Sequence, residues 1–162
     1  MALLPKMPPK KQNRKRRFTY NMEKFNFCVP TLFGLEGITS KELTKLGVSD
    51  VHAENGKVTF SGSLADMSLA NIWLRTGERV LLTLGSFRAT TFTELFEGVK
   101  ALPWEYFIPK DGAFPVKGHS LKSALFSVPD CQSIIKKAIV ERLRQKYSLS
   151  WFEETGSKYQ IQ

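Results

Sequence analysis

The chain has 162 residues, of which 42% are apolar, and its formal net charge is +9. Twelve phenylalanines and this apolar fraction are enough to build a hydrophobic core, which argues against global disorder. No apolar run approaches the roughly 18 residues that span a bilayer, and the N-terminus lacks the apolar segment of a signal peptide, so no membrane partner is predicted.

The positive charge is concentrated in two segments. Residues 1–21 hold seven Lys and Arg and no acid, whereas residues 22–113 hold nine basic and eleven acidic residues. Residues 114–147 hold seven basic and two acidic residues. Clustered cations indicate a polyanionic partner such as nucleic acid, since binding releases counterions from its phosphates. We expect residues 1–22 to be a basic disordered tail that serves as a solubilising or localisation run, or as an RNA tether.

Three segments of the first half have the composition of β-strands. Aromatic and β-branched residues dominate residues 25–31, 48–62 and 79–87. The middle segment contains Asn55-Gly56, a strong turn signal, and is therefore predicted to be a hairpin of two strands.

Two helices are predicted between these strands, over residues 34–47 and 64–77, each ending at a glycine, with Ser63 capping the second. The apolar face predicted for the second helix consists of Leu64, Met67, Leu69, Ile72 and Trp73. The resulting β-α-β-β-α-β order predicts an α+β fold whose first domain, residues 23–88, is ferredoxin-like. This fold is common and says little about function.

The second half predicts a different succession of elements. A helix over residues 91–102, capped by Thr91 or Thr93, is followed by a short turn and a strand over residues 113–118. Residues 127–130, with Ser and Asp at capping-box spacing, precede a helix that runs to about residue 146. Its buried stripe is predicted to be Ile135, Ile139 and Leu143, and a further strand begins at residue 157.

The junction of the strand and the long helix carries an unusual run of cations and hydroxyls. Lysines and hydroxyl donors beside backbone amides are suited to phosphate and sugar contacts, which position RNA without reading its sequence. The helix and the domain junction add further cations, although lysines on an amphipathic helix are often only its solvated face. The candidate RNA-binding residues are Lys117, His119, Ser120, Lys122, Ser123, Lys136, Lys137, Arg144 and Arg88.

Other candidate sites have little support in the sequence. His52 and His119 lack Cys, Asp or Glu partners at metal-ligand spacing, so no metal site is predicted. Cys28 and Cys131 are far apart and indicate buried free thiols in a reducing cytoplasm. Core packing is the preferred interpretation of five aromatic residues, with Tyr106 the expected exception. These aromatics are Trp73, Phe96, Trp104, Tyr106 and Phe107.

Several blocks, taken in order, resemble one family. They are "GLEGITSKELTKLG", "NGKVTFSG", "LANIWLRTGERVLLTLGSF", "FTELFEGVKALPWEYF" and "FPVKGHSLKSALFSVPDCQSIIKKAIVERL". Over about residues 25–162 the chain resembles the N-terminal half of the THUMP-domain class I SAM-dependent RNA methyltransferases, and in particular bacterial 23S rRNA guanine-N2-methyltransferases. The basic tail does not match the family pattern.

The resemblance implies a THUMP domain over residues 89–162, cut short within its C-terminal strands, and structured RNA as partner, with rRNA preferred over tRNA. It also implies a C-terminal Rossmann-like methyltransferase domain that uses S-adenosyl-L-methionine (SAM). We expect that domain to be absent from this chain, because no Gly-rich SAM loop and no Asn/Asp-Pro-Pro-Tyr/Phe motif occurs. The chain is therefore expected to be a fragment of a cytoplasmic enzyme, without catalytic, cofactor-binding or metal-binding residues of its own.

Three alternatives remain open at this point. The parent protein could be a tRNA guanine-N2 methyltransferase, or a tRNA 4-thiouridine synthetase, which also couples a ferredoxin-like domain to a THUMP domain. A stand-alone RNA-binding adaptor that uses the tail and the basic segment together is the third.

Overall fold

The computed structural model describes residues 24–118, 120 and 123–162. The predicted tail, residues 1–22, lies outside the described residues, as do His119 and Lys122. The described elements of the first half are β1 (Phe25–Pro30), α1 (Glu36–Lys45), β2 (Ser49–Glu54), β3 (Lys57–Gly62), α2 (Leu64–Trp73) and β4 (Leu81–Thr83). Those of the second half are α3 (Phe92–Ala101), a 3₁₀ turn (Trp104–Tyr106) and α4 (Val128–Tyr147).

The first half is an antiparallel sheet with the strand order β2-β3-β1-β4. Strand β1 lies in the centre, and its Phe27 is directly opposite Phe60 of β3, with ring centroids 5.0 Å apart. Both rings are buried with Leu43 of α1 in one apolar cluster. The predicted α+β class and ferredoxin-like order are confirmed.

The turn between β2 and β3 forms as the Asn55-Gly56 pair predicts. Gly56 has a φ of +77°, which costs a glycine little because it has no Cβ. Its N–H donates to Glu36 Oε1 at 2.9 Å, and the Gly34 N–H donates to Oε2 of the same carboxylate at 2.8 Å. The hydrogen bond from Gly56 is the main reason that the pKa of Glu36 is lowered, so one carboxylate ties two loops together.

Helix α2 begins as predicted but differs at its end and in its orientation. Ser63 and Asp66 form a capping box, yet the helix stops at Trp73, before the predicted end at Gly77. Of the predicted apolar face, only Met67 packs against the first core, together with the buried Ala70, whereas Ile72 is 74% exposed and Trp73 60% exposed. The helix is apolar on both sides, so periodicity alone could not select the side that packs.

The predicted fourth strand is much shorter than expected. Only Leu81–Thr83 pairs with β1, although the sequence predicted a strand over residues 79–87. Leu84 turns away and packs against the apolar core of the second half. Because Leu84 packs into this second core, the chain leaves β1 after Thr83 and the sheet ends at that residue.

The second half has a core of its own between α3 and α4. Thr91, rather than Thr93, caps α3 in a capping box with Glu94. The predicted stripe on α4 is confirmed, since Ile139 and Leu143 are fully buried and Ile135 packs beside them. The other buried members of this core are Val99, Trp104, Ile108, Phe114, Ala138 and Phe152.

Two extended segments flank α4 and pair in parallel. The Ala113 N–H donates to Ser157 O, the Tyr159 N–H donates to Ala113 O, and the Lys117 N–H donates to Ile161 O at 2.9 Å. The strands predicted near residues 113–118 and from residue 157 are thus present only as isolated bridges. Pro115 lies within the first segment and has no N–H to add to the ladder.

The N-terminus of α4 does not form the predicted capping box. Ser127 Oγ donates to Asp130 Oδ2 at 2.5 Å, and neither side chain caps a backbone N–H. The spacing was right, but the two side chains bond each other instead. None of the described helices combines the length and apolar character needed to cross a membrane.

Candidate nucleic-acid interface

A cleft of about 390 Å³ opens beside the N-terminal turns of α4. Its other sides are formed by residues 87 and 89, by Leu95 of α3, and by residues 117, 118, 120, 123 and 125. Its polar lining residues are Lys117, Ser120, Ser123 and Gln132. Its larger apolar lining residues are Phe87, Leu95, Leu125, Val128 and Ile135. Three of the predicted RNA-binding residues therefore share one concave surface.

Lys117 is the cation of this cleft. Its backbone is anchored by the hydrogen bond to Ile161 O, while its side chain is exposed. No acid of the described residues lies within ion-pairing distance of its ammonium. An anchored backbone with an unpaired ammonium is suited to holding an anionic ligand group.

The two serines of the cleft have different roles. Ser120 Oγ donates to Leu125 O at 2.8 Å, so its proton is used to hold the loop. Ser123 Oγ instead accepts from the Leu125 N–H at 3.1 Å, which leaves its proton able to donate to a ligand. Of the two predicted hydroxyl donors, Ser123 is the one whose geometry suits phosphate contact.

Lys136 is engaged within the protein. Its ammonium lies 3.7 Å from the centroid of the Phe114 ring, donates to Phe114 O at 3.1 Å and forms an ion pair with Glu154. These three contacts occupy the donor directions that a phosphate would need. The structure therefore assigns Lys136 to the packing of residues 114 and 154 against α4.

Lys137 and Arg144 lie apart from the cleft. Lys137 is roughly 200° around the helix from Ile135, and it borders a second groove of about 280 Å³ with Phe92, Phe96 and Ile134. Arg144 follows seven residues later and so lies on the face of Lys137. Both side chains are exposed, and neither pairs with an acid in the described part of the chain. The predicted basic surface is thus divided by α4.

Two further cations of α4, Arg142 and Lys146, form ion pairs with the carboxylate of Glu105. Glu105 accepts from Arg142 Nε at 3.0 Å and from Nη2 at 2.7 Å, and Lys146 Nζ lies 3.6 Å from it. The hydrogen bonds from Arg142 are the main reason that the pKa of Glu105 is lowered to about 2. Tyr147, whose pKa is raised by burial, contacts the carbonyl oxygens of Glu105 and Ile108.

Arg88 lies at the border of the cleft. Its neighbours Phe87 and Ala89 both line the cleft, and its own side chain is exposed. Arg88 itself is not among the lining residues, so its role as the near edge of the basic surface stays a prediction. The sequence interpretation missed Phe87 and Gln132 as lining residues, because Phe87 was assigned to a strand and Gln132 was not singled out within the α4 helix.

The remaining candidates divide between packing and exposure. Trp104 is buried and donates to Val99 O, whereas Trp73 is exposed, so core packing was wrong for Trp73. Tyr106 is 80% exposed, as expected. Phe96 and Phe107 pack against the second core.

The histidine and cysteine candidates are also placed. His52 is exposed on β2, and the described residues contain no group of three His, Cys, Asp or Glu side chains placed to hold a metal. Cys28 and Cys131 are free thiols, half-buried rather than buried, and burial raises the pKa of Cys28. Cys131 borders the cleft.

Two domain families match the chain. The RlmL ferredoxin-like domain matches residues 26–81, and the THUMP domain matches residues 89–162. Among curated relatives, the putative RNA methyltransferase YpsC of Bacillus subtilis is 46% identical over 87% of this chain and 37% of its own length. The ribosomal RNA large subunit methyltransferase K/L of Psychromonas ingrahamii is 29% identical over 75% of this chain and 16% of its own length.

Solved structures agree with these matches. A predicted N6-adenine-specific DNA methylase from Listeria monocytogenes is 50% identical, with a TM-score of 0.81 over 85% of this chain and 36% of that protein. A putative methyltransferase in complex with SAH is 39% identical, with a TM-score of 0.79 over 85% of this chain and 37% of that protein. This chain thus spans little more than a third of these proteins.

The matches cover the buried residues of both cores and every lining residue of the cleft except Phe87, and they confirm the resemblance found in the sequence. Apart from Phe87, the lining residues of the cleft, including Lys117 and Ser123, lie within the segment that matches the THUMP domain. The chain therefore belongs to the ferredoxin-like and THUMP domain families, joined in the order in which they occur in the related RNA methyltransferases.

Proposed function

We propose that this chain is the RNA-recognition part of a SAM-dependent RNA guanine-N2 methyltransferase that acts on rRNA in the cytoplasm. The observation that carries the proposal is the cleft of the THUMP domain, where Lys117 has no acidic partner among the described residues and Ser123 has a free proton. The choice of rRNA is supported by the K/L relatives, which are named for ribosomal RNA. The two free thiols support a reducing compartment.

The cleft suits contacts to the RNA backbone. Lys117 and Arg88 supply positive charge, and Ser123 supplies a hydroxyl donor without charge. Such groups bind phosphate and ribose oxygens, which fixes the position and direction of an RNA without reading its bases. In this proposal the chain docks a structured RNA and presents it to a separate catalytic domain.

The exposed cations on the other side of α4 form a second contact area in this proposal. Lys137 and Arg144 face away from the cleft, so they would meet a different stretch of the RNA backbone. Two areas separated by a helix favour a partner with three-dimensional structure over a short linear one. His119 and Lys122 are retained as candidates from the sequence alone.

The residues of the cleft do not fit SAM. A SAM site needs a close approach of backbone to the methionine part and a carboxylate for the ribose hydroxyls. No Asp or Glu lines the cleft, and in the described ranges no strand leads through a Gly-rich turn into a helix. We therefore place the methyl-transfer site in the longer parent protein. We also propose that the two domains of this chain extend over residues 23–88 and 89–162.

The proposal is tested by reversing the charge at the cleft. Replacing Lys117→Glu and Arg88→Glu together should lower affinity for a structured stem–loop RNA at low salt by about tenfold or more. The slope of log affinity against log salt should fall by about two units, because two phosphate contacts are lost. Filter binding over a series of salt concentrations measures both quantities.

A matched control separates this site from general charge. Lys41→Glu with Lys45→Glu makes the same change of charge on exposed positions of α1, far from the cleft in sequence and on the other core. All variants are made with the basic residues of 10–17 replaced by serine, so that the tail does not mask the effect. Equal losses for both double variants would contradict the proposed site.

The choice between rRNA and tRNA needs its own measurement. Binding of this chain to large-subunit rRNA segments is compared with binding to bulk tRNA at one salt concentration. Tighter binding to rRNA segments is expected. Tighter binding to tRNA would assign the parent enzyme to tRNA instead.

A further inference from the structure

The segment that joins the two halves places an aromatic ring at the cleft. Phe87 follows β4 and precedes α3, lines the cleft and is 42% exposed. The exposed part of an aromatic ring in a cleft offers an apolar surface on which a ligand can pack. Phe87 is therefore placed where it is available to a ligand.

The ring is held in place by a glycine. Gly98 lies in the interior of α3, and a Cβ on it would come within 2.3 Å of the Phe87 ring. One edge of the ring thus rests directly on the helix backbone. Glycine inside a helix costs about 1 kcal/mol relative to alanine, so its presence in α3 has a use, which is to seat this ring.

The surroundings of Phe87 match the parts of a nucleotide. Apolar side chains Leu125 and Ile135 share the cleft with the ring, which suits the faces of a base. Gln132 offers an amide that can both donate to and accept from the edge of a base. Lys117 lines the same cleft and supplies the cation that would hold a phosphate.

The size of the cleft sets how much RNA can enter. A volume of about 390 Å³ is at the lower end of small-ligand sites, which range from about 300 to 1,000 Å³. It suits one nucleotide and is too small for a base pair within a duplex. A base can reach it only when it is unpaired, as in a loop, a bulge or a strand end.

We propose that the cleft binds one unpaired nucleotide of the RNA, with its base against Phe87 and its phosphate on Lys117. Gly98 acts as a positioning residue, because it lets the ring approach α3. This inference rests on the proposed function and deepens it, since it names the form of RNA that the cleft accepts. Paired stretches of the same RNA contact the cations outside the cleft.

The test compares a short single-stranded RNA with a blunt RNA duplex of the same sequence. Phe87→Ala should weaken binding of the single strand about tenfold, the range seen for loss of one base–aromatic contact. Binding of the duplex should not change. Phe87→Tyr keeps a ring and should keep single-strand affinity within about twofold of the original chain.

Gly98→Ala tests the positioning role. The added methyl should displace the ring and weaken single-strand binding, while helix propensity favours the variant. Circular dichroism and thermal unfolding show whether the fold is kept. Equal weakening of single-strand and duplex binding would indicate a merely structural role for Gly98.

Cys131 supplies an independent readout, because it borders the same cleft. In a Cys28→Ser background, the single strand should slow alkylation of Cys131 by iodoacetamide, and the duplex should not. Slowing that disappears in Phe87→Ala supports the proposal.

The outcomes separate this inference from the proposed function. If duplex and stem–loop RNA bind but Phe87→Ala leaves single-strand affinity and Cys131 protection unchanged, the nucleotide site is overturned and RNA recognition stands. If no RNA binds the chain in either form, both proposals fail. If Phe87→Ala loses affinity for the single strand and keeps its affinity for the duplex, both the nucleotide site and the proposed RNA recognition are supported.

Discussion

The two halves of this protein use their charged residues differently. In the ferredoxin-like half, carboxylates such as Glu36 and Glu42 bind backbone N–H groups of neighbouring loops. In the THUMP half, cations of α4 bind the carboxylates of Glu105 and Glu154. The first half therefore uses its acids to hold loops, and the second uses part of its positive charge to hold its own core.

This difference shows that the net charge of a sequence segment does not give the charge of the surface that it forms, because acids from other segments can pair with its cations. Residues 114–147 have a net charge of +5 in sequence, yet Lys136, Arg142 and Lys146 are paired with acids that lie outside this segment. In the described part of this segment, the exposed cations without an acidic partner are Lys117, Lys137 and Arg144. An interface predicted from a local charge count thus included residues that stabilise the fold.

The largest expected effects come from the two cores, and they test whether the halves are separate. Leu43 and Leu143 are both fully buried, in clusters that share no residue. Leu43→Ala and Leu143→Ala should each lower the free energy of unfolding of its own half by about 3 kcal/mol. Urea denaturation, followed by Trp104 fluorescence with Trp73 and Trp151 replaced by Phe, reports on the second half.

Only Leu143→Ala should lower the urea midpoint seen by Trp104, since that indole is packed in the second core. Circular dichroism, which reports on both halves, should detect both variants. An equal shift of the Trp104 signal in Leu43→Ala would show that the two halves unfold as one unit.

The next largest effect on stability distinguishes a lysine that is bonded within the protein from a neighbouring lysine that is exposed. Lys136→Ala should lower the free energy of unfolding by about 1–2 kcal/mol, because it loses the Phe114 ring, a carbonyl and an ion pair. Lys137→Ala should change it by less than about 0.5 kcal/mol. Urea denaturation measures both, and the neighbouring lysine is the matched control.

RNA binding should show the reverse order for these two lysines. Lys137→Ala should weaken stem–loop RNA binding about threefold, and Lys136→Ala should leave it nearly unchanged. If Lys136→Ala weakened RNA binding while stability was retained, the division between structural and free cations would be wrong.

The pH dependence of stability sharpens the comparison for acids. The pKa of Glu105 is lowered to about 2 in the folded protein, from an ordinary value of 4.5. The ionised Glu105 carboxylate therefore stabilises the folded state above pH 4.5. This stabilisation is lost as the pH falls toward 2, because the folded state must then protonate the carboxylate. The urea midpoint of the protein should therefore fall over this range.

The variant Glu105→Gln should have a lower urea midpoint at neutral pH and a weaker fall of that midpoint between pH 4.5 and pH 2. Glu54→Gln, which breaks an exposed ion pair with Lys57, is the control and should behave like the original chain. Parallel curves for the original chain and Glu105→Gln would contradict the assigned role of this carboxylate.

The smallest effect concerns the outward face of α2. Ile72→Ser and Trp73→Ser should each change the free energy of unfolding by less than about 0.5 kcal/mol, because both side chains are largely exposed. Ala70→Ser, on the buried side, is the contrasting variant and should be more destabilising. A large loss in Ile72→Ser would mean that the outward side of α2 is packed after all.

Local features were predictable from the sequence where a few neighbouring residues decide them. The hairpin at Asn55-Gly56 and the Ser63 cap formed as expected, and the cap is completed as a capping box by Asp66. The same spacing at residues 127 and 130 gave no cap, because the two side chains bond each other. Motif spacing thus predicts which groups can meet, and the local backbone decides whether they do.

The candidate site was predictable only in part. Lys117, Ser120 and Ser123 were correctly grouped because they are adjacent in the chain. Phe87 and Gln132 were missed, since they reach the cleft from the domain junction and from α4. The engagement of Lys136 could not be foreseen either, because its partner Glu154 is 18 residues away.

The sequence by itself determined the order of elements, most of the helix starts, the two domain families and the general location of excess positive charge. These properties depend on short-range patterns, which are contained in neighbouring residues. Only the tertiary structure decided which side of α2 is buried, where β4 ends, and which cations are paired. Those outcomes depend on contacts between residues far apart in the chain, where packing and the nearest opposite charge select one of several arrangements that the local pattern allows.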